Sequence, residues 1–261
     1  DGLNEPGLAA NALYLAEAKF GDRDASKPGL SIALWVQFYL DTCATVAEAV
    51  EAAKQMQVRA IELVHRGVKV DSPIHLSLSD ATGDSAIIEV LDGVPHIHHG
   101  REYTTMTNSP PYDDQLVLLR QYEGLGGRLP IPGTMEAEDR FARAAFYLTK
   151  IPSEPESYQE AVANVMSVMR NAATPFGAND PERPNISATI WRTISDSTNK
   201  RYYFEFSNMP NVIWVDFENV DMSEGAPIMA FDLAGDFEAS GEVSALFKPA
   251  DGECIAGPCQ G

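Results

Sequence analysis

The segment MTNSPPYDDQL, residues 106–116, displays a polar amide, Asn108, immediately before Ser-Pro-Pro. The prolines exclude a helix and interrupt a strand ladder, so Asn108 stands at a stiff exit of the chain. On its residues alone Asn108 reads as a turn residue, and what its amide acts on is left open. Further on, Arg140 and Arg143 are neighbours at helical spacing, and on the residues alone Arg140 reads as a surface helix charge. Other groups invite chemistry less specifically. His96 and His98 share one face of a predicted strand, with His99 beside them, but no third and fourth ligand accompanies them, so no metal is expected. Cys43 lies in an apolar helical segment, where a buried, inert thiol is expected. Asp113 and Asp114 could form an acid/base pair, yet two carboxylates opening a helix are accounted for by its dipole. GxSxG, HExxH and a phosphate-binding glycine loop are all missing, which removes the commonest hydrolase and kinase patterns. No cofactor is expected.

The elements that position these residues follow from periodicity. GLAANALYL, residues 7–15, predicts a strand with small residues for close packing. Residues 31–43, apolar almost all round, predict a helix between layers, and Thr45 with Glu48 forms a capping box that opens an amphipathic helix. IELV, IHLSLSD, SAIIEV, VPHIHH and YTTMTN then predict an antiparallel meander over residues 58–107, divided by Ser-Pro, Thr-Gly, Asp-Gly and His-Gly breakers. Helices are expected at 112–122, 136–149 and, behind a Ser157/Glu160 capping box, 158–172. ATIWRTI and RYYFEF predict a hairpin around SDSTNK, with VIWVDF as the next strand, and GANDPERPN reads as a surface loop. Runs of strands and runs of helices indicate an α+β class with antiparallel sheets.

Composition sets the outer bounds. The chain has 261 residues, 44% of them hydrophobic, enough for one large domain or two small ones. A formal charge of −19 repels a phosphate backbone, which excludes nucleic acid as a partner. The longest apolar run, LSIALWVQFYL, is interrupted by Ser31 and Gln37, so no membrane span is expected. Cys254 and Cys259 in the tail CIAGPCQG could close a small disulfide loop, which favours a periplasmic over a cytoplasmic setting, or remain two free thiols. The chain opens on DGLNEPG, a turn feeding a strand, and upstream sequence is expected.

Three patterns in order carry a resemblance. DGLNEPGLAANALYL resembles the D-G-x-N-E-x-G-L segment and following strand of the choloylglycine hydrolase and penicillin V acylase family, linear-amide hydrolases of the N-terminal-nucleophile class. MTNSPPYDDQL resembles its T-N-S-P element, and PGTMEAEDRFARAAF is similar to its P-G-x6-R-F-x-R-A-A element at the same internal spacing. The resemblance implies a four-layer αββα sandwich of two antiparallel sheets between helices, with the N-terminal strands absent from residues 1–261. It implies one hydrolase domain over residues 1–261, residues 222–261 forming a C-terminal strand and tail, and a homo-oligomer. It also implies an N-terminal Cys nucleophile with its own α-amine as base, lying upstream of Asp1 together with an Arg and an Asp of the family site. On the matching positions, Asn108 would give a side-chain donor to the oxyanion, Tyr14 a backbone N–H donor, and Arg140 a cation beside the nucleophile.

The substrate implied is a small acyl amide: a phenoxyacetyl penicillin, an acyl-homoserine lactone or a conjugated bile salt. Tyr14 resembles the acylase branch more than the bile-salt branch, where Asn is usual. Without its nucleophile the stretch from Asp1 cannot run this reaction, which leaves a fragment of a longer enzyme, a separate Cys-bearing chain, or a non-catalytic ligand-binding relative. The first is preferred, because removing outer strands leaves open sheet edges, which an assembly protein would instead use for pairing.

Overall fold

The computed structural model describes residues 1–60, 63–65, 68–70, 73–178, 180, 187–233 and 238–250. Strands β1 (Gly2–Leu3), β2 (Ala9–Tyr14) and β3 (Gly29–Ser31) precede helices α1 (Trp35–Thr42) and α2 (Val46–Gln55). Six strands follow: β4 (Gln57–Arg59), β5 (Leu63–His65), β6 (Val68–Val70), β7 (Ile74–Ser79), β8 (Ser85–Leu91) and β9 (Val94–His99). Helices α3 (Tyr112–Leu119), α4 (Ala137–Leu148) and α5 (Tyr158–Ala172) lead to β10 (Trp191–Asp196), β11 (Arg201–Phe206) and β12 (Val212–Asp216). The short strands β13 (Met229–Ala230), β14 (Gly241–Glu242) and β15 (Lys248–Pro249) close the described chain. The fold is thus a mixed one, several sheets with few helices.

The main sheet runs β1-β2-β7-β8-β9, antiparallel throughout. Period-two alternation divides its faces. Ala10, Leu76, Leu78, Ala86, Ile88 and Val90 pack with Trp35, Tyr39, Val46, Ala49 and Val50 of α1 and α2. Ile87 turns to the other face and meets Tyr112 of α3 and Phe141 of α4. His75 and Glu89 are also turned to that face, and both are buried. A second sheet, β10-β11-β12-β14, is antiparallel except for the β12–β14 pair, and α5 contacts both β10 and α4.

Local chemistry accounts for the element ends. Thr45 and Glu48 exchange both hydrogen bonds of a capping box at the start of α2. At α5 only half of the predicted box forms: Ser157 accepts from Glu160 N–H, while the Glu160 carboxylate accepts from Glu156 N–H, one residue before the cap. The DGLNEPG turn is built on Asn4, whose Oδ1 accepts from Gly7 and Leu8 N–H and whose Nδ2 donates to the carbonyls of Leu40 and Cys43 at the end of α1. Gly7 has a positive φ of 105°, and a β-carbon there would meet the Ser197 carbonyl and the Lys200 amine.

Several expected boundaries shift. YTTMTN is not a strand: β9 is the sheet edge, and a turn in which Tyr103 N–H donates to Gly100 O carries the chain away from it. The α3 helix stops at Leu119, short of the expected residue 122, and Trp191 rather than residue 188 opens β10. The parallel pair β3–β4 was not anticipated, because strands of three residues carry no readable alternation. Of IELV only the last two residues belong to a described strand, and most of GANDPERPN and all of the Cys254/Cys259 tail lie outside the described residues.

Glu205 of β11 ties the second sheet to α5. Its carboxylate accepts from Arg170 Nη2 at 2.6 Å and from Arg192 Nε at 2.8 Å. Burial pushes this carboxyl up, but the bonds from Arg170 and Arg192 outweigh it and hold it below the usual carboxylate range. A depressed folded value contributes stability above the unfolded pKa of about 4.3, and the contribution disappears as pH falls through the folded value. Glu205→Gln should therefore lower the unfolding free energy by about 2 kcal/mol at pH 7 and by clearly less below pH ~4, read by urea denaturation. An equal loss at both pH values would count against the ion-pair account.

Candidate active site

Tyr14, Asn108 and Arg140 converge although the first two are 94 residues apart. Asn108 Nδ2 donates to the Tyr14 carbonyl at 2.7 Å, and Arg140 Nη2 donates to Asn108 Oδ1 at 2.6 Å. A guanidinium only donates and a carbonyl only accepts, so the two contacts fix which end of the amide is oxygen. An amide nitrogen carries two hydrogens. The bond to Tyr14 engages one, and among the described residues the second has no acceptor.

The strand pattern aims Tyr14 at the same place. Leu15 N–H donates to Pro73 O, so Leu15 faces β7 and the backbone N–H and C=O of Tyr14 both point to the opposite side of β2. There β1 reaches only Ala9 and Ala10, and the side of β2 beyond them is open to the Asn108 side chain. Tyr14 as a residue is 43% exposed, so the position is accessible from solvent.

Arg140 projects from the first turns of α4, where Phe141 and Ala142 are buried on the adjoining faces. Its Nε donates to Met135 O at 3.2 Å. Burial, aided by the neighbouring Arg143 and opposed by Glu138, lowers its pKa. None of the ion pairs among the described residues involves Arg140. Arg143 turns elsewhere: it donates to the carbonyls of Thr134 and Asn171 and fastens the loop before α4 against the end of α5.

The other candidate groups stay apart from this cluster. Cys43 is buried in the core beside α1. His98 lies between the rings of Tyr103 and Tyr112, His99 pairs with Asp84 at 2.8 Å, and Asp113 and Asp114 occupy the first turn of α3. Among the described residues no three His, Cys, Asp or Glu side chains gather as a metal site. A cavity of about 280 Å³ lies on the α1 and α2 side of the main sheet, lined by Trp35, Tyr39, Ile88 and Val90, and borders none of Tyr14, Asn108 and Arg140.

Sequence reasoning missed the buried polar side chains beneath Asn108. Gln115 Nε2 donates to the carbonyls of Asn108 and Pro110, at 2.5 and 3.0 Å. His75 Nε2 donates to Thr107 O at 3.0 Å, and His75 Nδ1 is hydrogen-bonded to Glu89 Oε1 at 2.9 Å. Glu89 also accepts from Tyr112 N–H at the start of α3. One signal was present: in SAIIEV a lone carboxylate interrupts a run of residues that are otherwise small or apolar, and buried charge requires partners.

Similarity to known proteins makes the chain a hydrolase of linear amides. Residues 1–233 match the family described as linear amide C–N hydrolases, choloylglycine hydrolase family, and the chain belongs to it. It is 41% identical to a penicillin V acylase of Pectobacterium atrosepticum, over 96% of this chain and 71% of that protein. The solved structure of penicillin V acylase from Agrobacterium tumefaciens superposes with a TM-score of 0.85 at 44% identity, covering 96% of this chain and 77% of that one. A variant of conjugated bile acid hydrolase from Clostridium perfringens shares the fold at a TM-score of 0.69 and 19% identity, over 85% of this chain and 73% of that one.

The contact between Arg140 and Asn108 yields a stability prediction. Arg140→Met leaves Oδ1 without its donor, and the unfolding free energy should fall by about 1–3 kcal/mol in urea denaturation. An unchanged midpoint would show that Oδ1 does not depend on Arg140.

Proposed function

We propose that the chain carries the acyl-amide site of a penicillin V acylase-like enzyme, which cleaves the C–N bond between an acyl group and an amine by cysteine attack. The observation that carries this reading is the doubly fixed Asn108 amide, with one Nδ2 hydrogen on Tyr14 O and the other available on the open side of β2. In the reaction a thiolate attacks the acyl carbonyl carbon and the C=O pair moves onto oxygen. The second Nδ2 hydrogen of Asn108 and the N–H of Tyr14 donate to that oxygen. Collapse expels the amine, which takes its proton from the α-ammonium of the nucleophile, and water then hydrolyses the thioester. Arg140 lies beside the nucleophile and favours its thiolate form.

The thiol is assigned to an N-terminal cysteine outside residues 1–261. Cys43 does not fit the role, since it is buried in the core away from Asn108. With the strands that carry that cysteine added, the two sheets form the inner layers of a four-layer αββα sandwich. The proposed domain is a single one over residues 1–261, with 222–261 as its C-terminal strand and tail. The acylase reading is preferred over bile-salt hydrolysis because identity to the penicillin V acylases is 41–44%, against 23% to a bile salt hydrolase/transferase of Clostridium perfringens. Tyr14 supports the same branch.

Two kinetic outcomes test the proposal in the full-length protein. Asn108→Ala should lower kcat by about 10²–10³-fold with KM nearly unchanged, since the lost donor acts on charge that develops only in the transition state. A rise confined to KM would contradict the role. Phenoxyacetyl amides or acyl-homoserine lactones should be cleaved with higher kcat/KM than taurine or glycine bile conjugates, and the reverse order would move the chain to the bile-salt branch.

A further inference from the structure

We infer that Gln115, backed by the buried His75–Glu89 pair, is the positioning residue that sets where the Asn108 amide stands; the inference rests on the oxyanion role proposed above. Residues 107–110 belong to neither a helix nor a strand, so no ladder satisfies their carbonyls. Side chains do so instead. His75 Nε2 takes the carbonyl of Thr107, and the two Nε2 hydrogens of Gln115 take those of Asn108 and Pro110. Gln115 is 1% exposed and His75 fully buried, so water cannot replace either donor.

The supports are themselves held. Gln115 sits in the first half of α3, and Glu89 holds the first N–H of that helix while gripping His75. Thr107 Oγ1, which lies 3.2 Å from Gln115 Oε1, donates to Ala137 O at 2.9 Å and so ties the same loop to the first residue of α4, the helix that carries Arg140. The loop bearing Asn108 is therefore referenced to β7, β8, α3 and α4 through buried polar bonds. Without Gln115 the main chain at Asn108 loses its only side-chain donor among the described residues. The amide must then be placed by its own side-chain contacts with Tyr14 and Arg140, and small displacements of a donor are costly for transition-state stabilisation.

Gln115→Met keeps the volume and removes both donors, and Gln115→Asn keeps an amide with a shorter reach should the first variant fail to fold. In the full-length enzyme, kcat for a phenoxyacetyl amide should fall about 10–100-fold with KM within about threefold. In an Asn108→Ala background the same change should lower kcat by less than about threefold, because the group it positions is gone. The side-chain NH2 signals of Asn108 in a ¹H–¹⁵N spectrum should shift or broaden in the Gln115 variant. Equal kcat losses in both backgrounds, or unmoved Asn108 NH2 signals, would overturn the inference. If Asn108→Ala itself retained wild-type kcat, the oxyanion role would fail instead, and the NH2 signals alone would decide the positioning.

Discussion

The site depends on one constraint, the orientation of a single primary amide. Asn108 has a donor end and an acceptor end that differ little in shape, and only its neighbours decide which is which. Here the neighbours permit one answer, because Tyr14 presents a carbonyl to the nitrogen and Arg140 a guanidinium to the oxygen. Each partner arrives from a different part of the chain. Tyr14 comes from the end of a strand whose register with β7 turns its peptide group outward, and Arg140 comes from a helix anchored by Phe141. The main sheet and α4 thus define the amide from opposite sides, and a shift of either moves one end of the same group.

The residues of the first motif serve the same arrangement from a distance. Asn4 satisfies four backbone groups at once, joining the start of β2 to the end of α1, and Lys200 reaches from the β11 end of the hairpin to the carbonyl of Pro6. The glycine at position 7 permits that approach, since a side chain would stand where the hairpin lies. In DGLNEPG the chemistry is structural: it locates β2, and β2 locates the peptide group of Tyr14.

What was legible in the sequence was local. The Thr45 box, the strands IHLSLSD, SAIIEV and VPHIHH, and the hairpin strand RYYFEF follow from caps and alternation that neighbouring residues impose. YTTMTN misled because its β-forming composition is overridden by position: it follows the edge strand, and its last carbonyls bond to buried side chains instead of a ladder. The site was legible only through resemblance. Read alone, Asn108 is a turn residue and Arg140 a helix charge, and no window of sequence contains both with Tyr14. Gln115 was illegible for a related reason. It looks like an ordinary polar residue of a short helix, and its meaning depends on which carbonyls the tertiary fold leaves without partners.

The electrostatics give the pairing of amide and cation its direction. The chain carries a net charge of −19, yet Arg140 has no carboxylate in contact among the described residues, and burial works against its charge. Among the described residues the contacts that offset the burial of this charge are with dipoles, the carbonyls of Asn108 and Met135. The bond to Oδ1 draws electron density from the amide and makes its N–H groups better donors, as expected for hydrogen bonds in series. Lysine would supply the charge as a compact point, without the planar donors that serve Oδ1 and the Met135 carbonyl together. The arginine therefore orients the Asn108 amide through Oδ1 while its Nε holds the Met135 carbonyl.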